Sequence, residues 1–151
     1  MCIRDRLGTE GIPLGLAVSL NATTDETRSQ IMPINRKYPI HQLLEAAGRY
    51  AKATGRRVTL EYVLLKDVND SPDDARRLVK LAGRLPSKIN LIPFNASPFY
   101  AFQPPSEAQV DRFQQILMAS NQTATIRPRR RGHIFAASGQ PGGTQPRCCL
   151  A

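Results

Sequence analysis

The sequence predicts an α/β fold built on a parallel sheet, and three observations carry that expectation. Short apolar runs bounded by proline, glycine or asparagine alternate with segments of helical periodicity, in the order strand, helix, strand, helix, strand, helix, strand. The segments between strands are long enough for the helical crossovers that parallel neighbours require. In each strand one alternating set is polar: Ser19 and Asn21 with Gly15 and Ala17 in the first, Thr59 and Glu61 in the second, Lys88 and Asn90 in the third. The opposite sets are greasy: Leu14, Leu16, Val18 and Leu20, then Val58, Leu60, Tyr62 and Leu64, then Ile89 and Leu91. Parallel strands covered by helices on both faces read as nearly continuous apolar runs. The polar set therefore suits a polar or ligand-containing interior, as in a barrel, or a row of side chains that hydrogen-bond one another in the core.

Each element has a local reason. Residues 14–20 (LGLAVSL) form a short apolar strand between Pro13 and Asn21. Thr23 and Glu26 make a T-x-x-E capping box for a short helix that ends before Pro33. Ile40, Leu43, Leu44, Ala47, Tyr50 and Ala51 fall on one helical face, predicting a helix over 39–54 with Pro39 in its first turn and Gly55 as its C-terminal cap. Residues 58–65 (VTLEYVLL) are rich in β-branched and aromatic types and form the second strand. Ser71-Pro72-Asp73-Asp74 starts a helix running to about Leu85, after a loop at 67–70. Residues 88–94 (KINLIPF) form the third strand, and 95–105 a loop with prolines and aromatics. Ser106 caps a helix carrying Val110, Phe113, Ile116 and Leu117 on one face, and 123–127 form a fourth strand. Barrels of this kind need about six to eight strands, so the chain reads as the second half of one. On that reading the edge at 14–20 is unpaired and the inner residues Val63, Leu65, Ile92 and Phe94 are bare, which predicts self-association or loose packing.

At 151 residues the chain has the length of about one domain. No run approaches the ~18 apolar residues of a membrane span. The charged start, Met1 to Arg6, has no apolar stretch behind it that would make a signal peptide. Those six residues match no pattern that follows and read as a read-through or cloning leader. The three cysteines, Cys2, Cys148 and Cys149, show no CxxC or spaced framework; this excludes a disulfide scaffold or self-contained zinc site and fits a reducing, cytoplasmic setting.

The charge is uneven. Lysine and arginine number 21 against 12 acidic residues, a net +9, and after Asp111 no acid remains while Arg112, Arg127, Arg129, Arg130, Arg131 and Arg147 do. The segment 128–151 is irregular and basic. It suits a polyanion such as RNA, which arginine contacts through its bidentate fork, or it is a solvated tail. His41 and His133 read as surface residues. No Ser/His/Asp arrangement, metal-ligand spacing or phosphate-cradling glycine motif is present. Chemistry in a βα barrel gathers where strands end. Here those places are Ser19-Leu20-Asn21 and Phe94-Asn95, where an asparagine also commonly serves as a turn former.

The residues then carry a resemblance. The runs 17–26 (AVSLNATTDE), 31–39 (IMPINRKYP), 61–65 (EYVLL) with Val68-Asn69-Asp70, 88–95 (KINLIPFN), and Ile126-Arg127 followed by 136–140 (AASGQ) are similar, in order and spacing, to the radical S-adenosylmethionine (SAM) RNA adenine-C2 methyltransferases, the RlmN-like group. The resemblance covers about residues 11–140. It implies the second half of a (β/α)6 partial barrel over 7–127, with parallel strands inside and helices outside. It implies a parent enzyme that methylates carbon 2 of an adenine in 23S rRNA and in tRNA, using SAM and a four-iron four-sulfur cluster. Ser19, Leu20, Asn21 and Asn95 fall on the family's SAM-contacting positions. Arg127, Arg129, Arg130 and Arg131 are the expected RNA contacts.

Departures from the family are equally specific. The CxxxCxxC loop, whose three thiolates leave one iron open to SAM, is missing along with the upstream half of the barrel, so this chain supplies no metal ligand. Ser138 stands where the family has its methyl-carrying cysteine, and a hydroxyl has no accessible anion near neutrality. The resemblance thus implies a chain inactive in isolation. The rival expectation is a stand-alone basic α/β module that binds RNA without catalysis.

Overall fold

The computed structural model describes residues 14–96 and 101–127. Four strands, β1 (Ala17–Ser19), β2 (Val58–Leu64), β3 (Ser87–Pro93) and β4 (Ala124–Ile126), form one sheet in the order β1-β2-β3-β4, with every pair parallel. The crossover from β1 to β2 holds α1 (Asp25–Ile31), a 3₁₀ turn (Pro33–Arg36) and α2 (Ile40–Thr54). Helix α3 (Pro72–Ala82) links β2 to β3, and α4 (Glu107–Ala119) links β3 to β4. The predicted parallel βα architecture is what forms. No helix among the described residues is long and apolar enough to cross a membrane.

Among the described residues β1 and β4 each have one partner, and both are shorter than their apolar runs. Their ladders still reach the flanking residues: Thr59 N–H donates to Leu16 O at 2.8 Å and Leu20 N–H to Glu61 O at 2.9 Å. At the other edge Ile89 N–H donates to Thr123 O and Arg127 N–H to Leu91 O, both at 2.8 Å. Gly55 ends α2 at φ +67, the left-handed conformation its missing Cβ permits. Ser71 and Ser106 cap α3 and α4 as expected. At α1 the cap is Thr24, not Thr23; the Thr23 hydroxyl is committed elsewhere, donating to Asp74 Oδ1 at 2.7 Å.

The greasy strand faces meet the helices as read from the sequence. Val18, Leu20, Val58, Leu60, Tyr62, Leu64, Ile89 and Leu91 pack with Leu44, Ala47, Leu78, Phe113 and Leu117 in one core. The opposite face divides along its length. Near the strand starts it is polar and accessible: Ser19, Lys88 and Thr125 are exposed, and Thr59, Glu61 and Asn90 half-buried. Ser19, Glu61, Asn90 and Thr125 lie in register across all four strands. No hydrogen bond joins these side chains to one another, so they are not a satisfied polar core. Near the strand ends the face is covered. Val63, Leu65, Ile92 and Phe94, expected to be bare, are buried in a second cluster with Ala22 and Ile31, against Met32, Val68 and Phe102. The fold-back of α1 and of the loop after β3 supplies the cover that the half-barrel reading assigned to missing strands.

Candidate functional site

The site is built where β1 leaves the sheet. Thr59 and Leu20 show a regular parallel ladder whose next bond would run from Val63 N–H to Leu20 O. That carbonyl instead accepts from Arg28 Nε at 2.9 Å, and Val63 N–H is taken by Asn21 Oδ1 at 3.0 Å. The Asn21 side chain thus replaces main chain in the ladder. Asn21 has φ +58, a left-handed conformation that asparagine tolerates better than most residues. Its Nδ2 points to Met32 Sδ at 3.1 Å, a weak acceptor.

Two buried side chains hold this strand end. Arg28, on α1, also donates to Ser19 O (3.1 Å), Asn35 Oδ1 (2.7 Å) and Tyr38 O (3.2 Å). Burial lowers the pKa of its guanidinium, partly countered by Asp25. Asn69, fully buried in the loop after β2, donates to Asn21 O and Val63 O and accepts from Leu65 N–H, each at 2.7 Å. The Tyr62 hydroxyl donates to Asn69 O at 2.9 Å. One amide therefore joins the ends of β1 and β2 to the loop above them.

Beside this lies a carboxylate pair of opposite character. Asp74 accepts from Thr23 and Ser71 hydroxyls and, at 2.6 Å, from Arg77 Nη2. Burial alone would raise its pKa, but these donors outweigh burial and lower it. Asp70 is buried with only Oδ1 bonded, to Asp67 N–H at 3.0 Å, and its Oδ2 has no partner among the described residues. Burial raises its pKa. The signs follow by linkage. Asp74 stabilises the fold above the unfolded-state value, and that contribution is lost as pH falls through its lowered value. Asp70 contributes stability only below the unfolded-state value, lost as pH rises through its raised one. We expect Asp74→Asn to lose about 1–3 kcal/mol at neutral pH, a deficit that shrinks in acid. Asp70→Asn should gain on the parent chain as pH rises above the ordinary aspartate range. Urea unfolding at a series of pH values measures both slopes; parallel profiles for parent and variants would contradict the assignment.

The predicted site residues are thereby located. The Ser19 side chain is exposed on the open face. Leu20 is fully buried on the helix side, so only its backbone belongs to the strand end. Asn95 is half-buried just beyond β3, separated from Asn21 by β2, and makes no hydrogen bond with another described residue. Arg127 is exposed at the end of β4. Arg129, Arg130, Arg131 and Ser138 lie outside the described residues. No group of three His, Cys, Asp or Glu side chains able to hold a metal occurs among the described residues. A hollow of about 290 Å³ borders Asp70, Ser106, Gln109 and Arg112, and one of about 540 Å³ lies between α2 and the turn before β3; neither is lined by Ser19, Leu20, Asn21 or Asn95.

No protein-family model matches the chain. Comparison with curated proteins is informative. The chain is 52% identical over 135 residues to the dual-specificity RNA methyltransferase RlmN of Anaeromyxobacter sp. (strain Fw109-5), covering 89% of this chain and 36% of that protein. It is 51% identical over 139 residues to the RlmN of Geobacter sulfurreducens, covering 92% and 38%. The chain thus spans little more than a third of the length of these relatives. Among solved structures it is similar to a radical SAM methyltransferase from Sphaerobacter thermophilus, with TM-score 0.80 and 48% identity over 82% of this chain and 36% of that one. A domain of a pyruvate-formate lyase-activating enzyme from Bacteroides vulgatus shares the fold at TM-score 0.67 and 21% identity, over 83% of this chain and 73% of that one. The α/β architecture is accordingly that of the radical SAM partial barrel. Over the stretch it shares with these relatives, the chain belongs to the RlmN family of RNA methyltransferases.

Proposed function

We propose that this chain is the C-terminal part of a cytoplasmic radical SAM methyltransferase that methylates carbon 2 of an adenine in 23S rRNA and in tRNA. The observation that carries the reading is 52% identity over 135 residues to a dual-specificity RNA methyltransferase RlmN, in a stretch that includes the strand ends described above. In this reading residues 7–127 are half of a barrel completed by an N-terminal half, and 128–151 form a basic tail.

The open end of β1 and the residue after β3 suit a polar cofactor. The Ser19 hydroxyl and the Asn95 amide are the groups left to bind SAM. Leu20 and Asn21 fix the backbone at the end of β1 beside Ser19, held by Arg28 and Asn69. SAM, when bound with a reduced four-iron cluster, supplies both the methyl group and the radical chemistry. The described residues do not fit that cluster, and in this proposal its ligands belong to the N-terminal half. Arg127, with Arg129, Arg130 and Arg131, holds RNA phosphates near the target base, which must leave its stack to expose carbon 2.

Ser138 leaves the chain without a methyl-accepting thiolate. Incubated with SAM, a reductant and an RNA fragment, the chain alone should give no C2-methyladenosine by mass spectrometry. Product above a no-protein control would overturn its inactivity. A chimaera joining it to the upstream part of the Anaeromyxobacter relative, with Ser138→Cys, should form that nucleoside. A folded chimaera that binds RNA and yields none would favour the stand-alone binding module.

A further inference from the structure

The end of the sheet opposite the candidate site, where the strands begin, has its own chemistry. All strands run the same way, so the turns preceding β2 and β3 emerge together. Arg56 and Arg57 directly precede β2, Arg84 lies shortly before β3, and Val58 pairs with Ser87. Lys52 lies in the last turn of α2. These four cations are exposed, and none forms an ion pair among the described residues. No acid occurs between Glu45 and Glu61 or between Asp74 and Glu107. Lys52 complements the negative end of the α2 dipole, and the three arginines stand just past the caps of α2 and α3.

Two of these cations, Lys52 and Arg84, border a groove. Its volume is about 540 Å³, Leu44, Gly48, Leu85 and Pro86 line it with apolar surface, and Lys52 and Arg84 stand on its walls. Glu45, also at the groove, is held by Arg49 at 3.0 Å. Gly48 lies within α2, where glycine is a poor helix former. A Cβ there would make only an ordinary 4.0 Å contact with Leu85, so packing does not demand glycine. What its absence of side chain does is leave the groove open.

We propose that this end of the sheet is a second RNA contact surface. Lys52, Arg56, Arg57 and Arg84 hold successive phosphates of a single strand, and one of its bases rests on the apolar lining of the groove. An apolar seat flanked by Lys52 and Arg84, with Arg56 and Arg57 on the neighbouring turn, fits the alternation of base and phosphate. The inference rests on the reading of this family member as RNA-acting, and it adds a site remote from the methyl-transfer end.

The test is fluorescence anisotropy of a labelled, unstructured RNA of about 20 nucleotides with the full chain, from about 50 to 200 mM salt. Lys52→Ala, Arg56→Ala, Arg57→Ala and Arg84→Ala combined should weaken binding at least about tenfold at the lowest salt and flatten the log–log slope by about 0.7 per lost contact. Gly48→Leu should weaken binding by about threefold with no change of slope, since it displaces a base and not a charge, while the melting temperature does not fall. A fourfold variant within twofold of the parent chain, at unchanged slope, would overturn the proposal. So would loss of all binding on changing Arg127, Arg129, Arg130 and Arg131 alone, although RNA would then remain the partner. Failure of the parent chain to bind RNA at all would remove both readings, and equal binding of polyglutamate would point to a protein partner and reject this surface as an RNA site.

Discussion

Replacing Arg28 by alanine is expected to destabilise the fold by about 3–5 kcal/mol, more than any other single change at the strand ends. Arg28 is 3% exposed, and its guanidinium serves Leu20 O, Ser19 O, Tyr38 O and Asn35 Oδ1. Hydrogen bonds from a charged donor contribute about 1.5–3 kcal/mol each, and three of these acceptors are backbone carbonyls that no second mutation can remove. The pair rule that lets an apolar swap replace a buried ion pair therefore does not apply. Arg28→Met should fare little better than alanine, because it restores volume but no donor. Arg28→Lys keeps the charge but lacks the planar fork that reaches several acceptors, and it should recover a minority of the loss. Equilibrium urea unfolding of the three variants decides the point; a loss below about 1 kcal/mol for alanine would show that water replaces the guanidinium freely.

Asn69→Ala should cost about 3–4 kcal/mol and is the second large effect. It removes one amide and strands Asn21 O, Val63 O and Leu65 N–H in a site with no exposure. Asn69→Asp tests the same geometry through charge. A carboxylate still accepts from Leu65 N–H but turns an oxygen toward two carbonyl oxygens, so the protonated form is favoured in the folded state. Its stability should therefore fall as pH rises above the usual carboxylate range. Urea unfolding at two pH values separates the variants: the aspartate should gain on the alanine in acid, and identical pH profiles would contradict the two donor bonds.

Hydrophobic patterning made the scaffold legible. Leu60, Tyr62 and Leu64 alternate with Thr59 and Glu61, and the structure turns them to opposite faces as that period requires. Caps were readable at Ser71 and Ser106 because their hydroxyls have only local work. Thr23 misled because its hydroxyl is spent 51 residues away, on Asp74. The covering of Val63, Leu65, Ile92 and Phe94 was also hidden. It depends on Ala22, Ile31 and Phe102 arriving from three separate segments, which no local period encodes.

The site was legible as a place and not as a mechanism of support. Strand ends marked Ser19–Asn21 and Asn95, but Arg28 sits in a polar helix, Asp25–Ile31, and reads as one more surface charge. Its spacing of three from the buried Ile31 was the available signal, since residues three apart share a helix face. Asn69 lay within a motif noticed for its resemblance alone. Its three bonds become visible only when the loop after β2 is seen folded over the end of β1.

The sequential strand order has a consequence for the birth of the protein. Because β1, β2, β3 and β4 lie side by side in the order of synthesis, each of β2, β3 and β4 leaves the ribosome after the neighbour on which it pairs. Among these four strands none has to be inserted between two that are already paired. Each newly completed crossover helix covers the seam just made. The sheet can thus grow by accretion at one edge, with its newest strand always the temporary rim.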